Sequence, residues 1–85
     1  MEVGKKFYII AHAYWHVIGE VVEVVGPKTV VLRNVVYVYS SRKNWTEFFK
    51  KGIGTGDTYD IWPDGTTVTA IIHIPWEHEI PTVKK

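Results

Sequence analysis

The side chains in this chain with the plainest chemical use are four histidines and three closely spaced aspartates. Imidazole and carboxylate can serve as metal ligands or as acids and bases near neutral pH. His12 and His16 stand four apart in "AHAYWHVIGE". A helix would place both rings on one face, but the zinc-protease version of that spacing needs a Glu directly after the first His, and Ala13 stands there. On a strand, residues four apart lie about 13 Å from each other. Two ligands of one zinc are separated by roughly 4 Å. The β-rich surroundings favour the strand, so His12 and His16 are read as polar-face residues, and His73 and His78 as hydrogen-bonded structure. No metal and no cofactor is expected. Asp57, Asp60 and Asp64 cluster only along the chain. Asp64 suits the Pro63-Asp64-Gly65 turn and Asp57 the loop before it, which leaves a glycosidase-like acid pair without support. "GIGTG" at residues 52–56 resembles a phosphate cradle, but that chemistry needs a strand leading in and a helix leading out, and here a helix leads in. Cysteine is absent, and Ser40 and Ser41 sit beside basic residues with no recognisable base. The residues do not describe an enzyme.

The elements that would position any site are mostly strands. Val, Ile, Thr, Tyr and Trp are abundant, and such side chains pack well on a pleated, half-buried surface. From Phe7 to Val25 one alternating set is almost wholly apolar (Phe7, Ile9, Ala11, Trp15, Val17, Val21), while the other holds Tyr8, His12, His16 and Glu20. This reads as one long strand with a polar face. Gly26-Pro27-Lys28 makes a turn, and "TVVLRNVVYVY" resumes as a second strand of a hairpin. In "NWTEFFKKG", Asn44 can cap a helix, Glu47 stands three residues on and Gly52 can close the end, which predicts a helix over residues 45–51. "YDIW" and "TTVTAIIHI" flank Pro63-Asp64-Gly65 and predict a closing hairpin.

Eighty-five residues make one domain, 1–85, with little core to spare. Burial and ordering entropy nearly cancel in a chain this short, and with no disulfide available, self-association is the remaining common remedy. Ten Lys and Arg against nine Asp and Glu single out no partner class. No apolar stretch approaches the roughly 20 residues of a membrane helix, and "MEVGKK" lacks the apolar region of a secretory signal. A cytoplasmic protein, away from membranes, is the expectation.

"GEVVEVVGPKTVVLRNV" resembles the first motif of Sm and Sm-like proteins, in which a Gly, a hydrophobe two on, a turn, then hydrophobe-x-hydrophobe and a short polar pair recur at set intervals. Gly19, Val21, Val30, Leu32, Asn34 and Val35 fall on that spacing. "NWTEFF" and "IPWEHEIP" also resemble a group of small phage-borne proteins of this fold. The resemblance covers residues 7–39 most closely. It implies a strongly bent, five-stranded open barrel of Sm-like or SH3-like form with one short helix before the last hairpin, and Gly19 at the sharpest bend. It also implies a homo-oligomeric ring closed by pairing of free strand edges between subunits.

Sm proteins commonly bind RNA through an Asp-x-x-x-Asn pattern in the turn and an Arg-Gly pair near the last strands. Here Val25 and Thr29 take the first two positions and no Arg-Gly is present. Lys28, Thr29, Arg33, Arg42 and Lys43 remain as candidates for phosphate contact. Trp15, Tyr37, Trp45 and Trp76 are candidates for an oligomer interface or the core. Two functional readings stay open. One is a non-enzymatic ring-forming module that binds RNA or other single-stranded nucleic acid. The other is a structural or adaptor protein, in viral assembly or another protein complex, that binds no nucleic acid.

Overall fold

Branched and aromatic residues form five strands in the computed structural model, which describes residues 1–11, 15–40, 44–54 and 57–80. They are β1 (Lys6–Ala11), β2 (His16–Val24), β3 (Thr29–Ser40), β4 (Thr58–Trp62) and β5 (Thr66–Pro75), with α1 (Trp45–Lys51) between β3 and β4. The helix begins and ends where its capping residues stand. The Asn44 side chain accepts from the Glu47 N–H at 2.8 Å, and Gly52, at φ 78°, donates its N–H to the Phe48 carbonyl.

The run from Phe7 to Val25 is not one strand. β1 and β2 pair antiparallel, with Ile10 opposite His16, and the Ala11 N–H donates to the Trp15 carbonyl across the reversal. The chain turns here without Gly or Pro, and Phe7, Ile9 and Ala11 keep the parity of Val17, Gly19 and Val21. Alternation therefore runs unbroken through the turn. The strand separation argued for His12 and His16 does not apply to a hairpin, and His12 lies outside the described residues.

β1 pairs with β2 on one side and β5 on the other. β3 pairs with β2 along most of its length, but its other edge changes partner: Thr29–Leu32 pair with β5 and Val35–Ser40 with β4. This handover bends the sheet into a five-stranded open barrel. At the bend Asn34 takes a left-handed φ of 53°, which Asn tolerates better than most residues. Its N–H donates to the Asp64 carboxylate at 2.8 Å, so the β4–β5 turn props the bend. β2 bends beside it, with a register shift between Ile18 and Glu20. A Cβ on Gly19 would stand 3.0 Å from Leu32 Cδ1 and 3.1 Å from Leu32 Cβ. Gly19 is thus needed for close approach and not for a left-handed φ.

The sheet is buried on both faces. Inside the barrel lie Phe7, Ile9, Val17, Val21, Leu32 and Val35 with their neighbours. On the outer face α1 covers Tyr8, Ile18, Val36 and Val38, and Phe48 and Trp76 complete this second core. The expectation of a polar face through Tyr8 and His16 is corrected accordingly. Tyr8 is 1 % exposed, and its hydroxyl hydrogen-bonds Nδ1 of His16 under the helix.

Candidate functional site: an aromatic cluster and two unpaired edges

The parity that sends Val17 and Val35 into the barrel continues outward to Trp15 on the β1–β2 reversal and to Tyr37 and Tyr39 on β3. Beside them β4 contributes Trp62, opposite Val35, and Asp60, opposite Tyr37. The four rings touch one another at one end of the barrel. Trp15 and Trp62 stand edge to face at 5.7 Å, Tyr37 and Trp62 lie 4.9 Å apart, Trp15 and Tyr37 6.1 Å, and Tyr37 and Tyr39 4.6 Å. Trp15 is 45 % and Tyr39 52 % exposed. The Tyr39 hydroxyl donates to Asp60 Oδ2, and this bond to a carboxylate raises the Tyr39 pKa.

Two strand edges carry half of the other large exposed apolar residues among those described. Among the described residues β4 pairs only with β3, and the second half of β5 pairs only with β1. Their open edges bear Tyr59 and Ile61 on β4 and Ile71 and Ile72 on β5, all exposed. Ile71 sits at a bulge, where the β1–β5 register shifts between Ile10 and Ala11. A further apolar group, Val22, Val24 and Val25, projects on the β2–β3 hairpin.

Lys28 and Thr29 lie in that hairpin, at the opposite end of β3 from the aromatic cluster, and Thr29 Oγ1 is 3.0 Å from Thr69 Oγ1. Arg33 makes a two-pronged contact with Glu20, from Nε at 2.6 Å and Nη2 at 3.1 Å. Arg42 and Lys43 lie outside the described residues, as does the side chain of Trp45. Of the four aromatic candidates, Trp15 and Tyr37 join the exposed cluster, whereas Trp76 is 4 % exposed and packs on Tyr8 and Phe48. Trp62 and the edge isoleucines were not legible as site residues. The signal for Trp62 was present, however, since it closes "YDIW" on the parity of Asp60.

The described histidines go to separate partners. His16 meets Tyr8, His73 stands edge-on to Phe7, and His78 Nε2 is 2.9 Å from the Phe49 carbonyl. Among the described residues no three His, Asp or Glu side chains gather to hold a metal ion, and no helix is long and apolar enough to cross a membrane. Burial pushes the Tyr8 hydroxyl pKa well above its ordinary value and lowers that of His16. A groove of about 840 Å³ runs between the N-terminal residues and the segment after β5, with Phe7, Pro75 and Trp76 among its walls. The Trp76 indole N–H is buried without an acceptor among the described residues. No family model matches the chain, and no curated protein or solved structure matches it.

Proposed function

We propose that this protein is a non-enzymatic, Sm-like assembly module whose copies join by pairing the open edge of β4 in one subunit with the open edge of β5 in the next. The observation that carries this reading is the coincidence of unpaired backbone and exposed apolar side chains. Tyr59 and Ile61 on one edge and Ile71 and Ile72 on the other would be covered by the same contact that satisfies the edge hydrogen bonds. The bend at Gly19 and Asn34 supports it, because the bend is what separates the two edges and leaves both open.

Of the two ligand classes, a protein partner fits the surface better than single-stranded nucleic acid. Among the described candidates, the Arg33 guanidinium is engaged by Glu20 and Lys28 stands far along β3 from the rings that would stack a base, while Arg42 and Lys43 lie outside the described residues. The module is therefore read as a structural or adaptor component.

Light scattering at micromolar concentration tests the assembly. A mass several times the 9.8 kDa chain is expected, and Ile61→Lys with Ile72→Lys should return it to that of one chain by placing charge on both edges. A single-chain mass for the unaltered protein defeats the proposal. Oligonucleotide binding that weakens steeply with salt would restore the nucleic-acid reading.

A further inference from the structure

The hydrogen-bond phase of the sheet decides which side chains a joint between β4 and β5 brings together, and it deepens the assembly reading, on which it rests. In antiparallel pairing, successive residues turn their N–H and C=O groups alternately to one neighbouring strand and to the other. The Trp76 N–H donates to the Lys6 carbonyl at 3.0 Å, and Phe7 stands opposite Pro75. Ile74 opposite Tyr8 and Ile72 opposite Ile10 therefore bond to β1, and His73 between them turns its backbone groups to the open edge. The Val21 N–H donates to the Lys5 carbonyl at 2.9 Å, so Val17, opposite Ile9, also bonds to β1. Tyr37, opposite Val17, then bonds to β4 through Asp60. On either side of Asp60, Tyr59 and Ile61 turn their backbone groups to the open edge of β4.

Backbone groups bond only to groups that face them, so an antiparallel joint of these two edges sets His73 opposite Tyr59 or Ile61 and never opposite Asp60. Two prolines choose between the registers. With Ile61 opposite His73, Tyr59 meets Pro75 and Ile71 meets Pro63, and neither proline has an N–H to give. With Tyr59 opposite His73, both prolines fall outside the paired residues and Ile61 lies against Ile71, apolar on apolar. Opposed residues share a face of the sheet. On that face His73 lines the groove of about 840 Å³, its ring edge-on to Phe7 at 5.6 Å, with Pro75 beside them. Tyr59 is 37 % exposed in the single chain and has a ring to bury. We infer that Tyr59 of one subunit seats in the groove beside β5 of the next, against Phe7, His73 and Pro75, and that the groove is incomplete as a site without it.

The chain has no cysteine, so paired substitutions report the register directly. Opposed residues of such a ladder have Cα atoms about 5.5 Å apart, inside the range of roughly 4.4 to 6.8 Å that a disulfide spans. Under mild oxidation His73→Cys combined with Tyr59→Cys should link chains to one another on a non-reducing gel. His73→Cys combined with Asp60→Cys should not, because residue 60 leaves the opposite face. A second measurement needs no cysteine. Tyr59→Ala should raise the concentration at which the oligomer dissociates in light scattering about tenfold or more, and Tyr59→Phe should leave it within about twofold, because the ring and not the hydroxyl fills the groove. The inference is overturned by preferential linkage of His73→Cys through Asp60→Cys or Ile61→Cys, by an oligomer that links through none of the three, or by unchanged dissociation of Tyr59→Ala. Each of those results leaves assembly itself standing. A single-chain mass for the unaltered protein removes the assembly reading and this inference together.

Discussion

Two aromatic clusters stand on opposite faces of the same bent sheet, built from similar residues at similar spacing. Beneath α1, Tyr8 lies 5.8 Å from Phe48, 4.8 Å from Phe49 and 5.8 Å from Trp76. At the barrel end, Trp15, Tyr37, Tyr39 and Trp62 lie between 4.6 and 6.1 Å apart. Ring geometry does not distinguish them. Only the first has a lid, since α1 brings Phe48 down onto Tyr8 and buries it completely, while no described element crosses Trp15 and Tyr39. The same side chains therefore stabilise the fold on one face and leave exposed aromatic surface on the other.

The widest gap between the clusters should come from truncating one ring in each. Phe48→Ala empties a fully enclosed site and should cost about 3 to 5 kcal/mol. Trp15→Ala, on a half-exposed ring, should cost about 1 kcal/mol or less. Denaturant melts at one fixed protein concentration measure both, and equal costs would erase the distinction.

The bend that keeps the faces apart is tested next. Gly19→Val places carbon against Leu32, a fully buried residue with little room to yield, and should destabilise by about 1 to 3 kcal/mol despite valine's better strand propensity. A valine variant as stable as the parent would mean that β2 needs no close approach there.

The smallest effect belongs to the partly buried pair of Tyr8 and His16. Burial holds the His16 pKa below its ordinary 6.5, so the unfolded chain takes up more protons than the folded one as the pH falls. The contribution of His16 is fully present above about pH 6.5 and is lost as the pH drops below it. The melting temperature should therefore decline from pH 7 to pH 5, and His16→Gln should shallow that decline. An unchanged slope would show that His16 does not titrate with folding.

Much of this arrangement was legible in residue types. Gly26-Pro27-Lys28, the Asn44 cap, Gly52 and Pro63-Asp64-Gly65 each mark the boundary they were expected to mark, because turn and cap chemistry is local. Gly19 was readable as a bend, although only the distance to Leu32 says why. What could not be read has a common cause, namely contacts made by distant segments. A period-two pattern cannot report a reversal that preserves its phase, and so β1 and β2 looked continuous. Nor can alternation say that a helix nearly forty residues further along will cover Tyr8 and turn a polar face into a core. The exposed cluster joins the β1–β2 reversal to β4, and no local spacing relates Trp15 to Trp62.

The Asn34 to Asp64 hydrogen bond carries a consequence for how the chain is made. It joins residues 30 apart, and β5 must slot between β1 and β3 before the barrel exists. During synthesis from the N-terminus, β1, β2 and β3 emerge as a meander with neither the prop for its bend nor the strand that closes it. Folding must wait for the last hairpin, so the search is dominated by non-local pairing and belongs to the slow regime of small β proteins. Until then β1 and β3 present bare edges to neighbouring chains, and the interval before residue 75 is complete is when this protein is most exposed to aggregation.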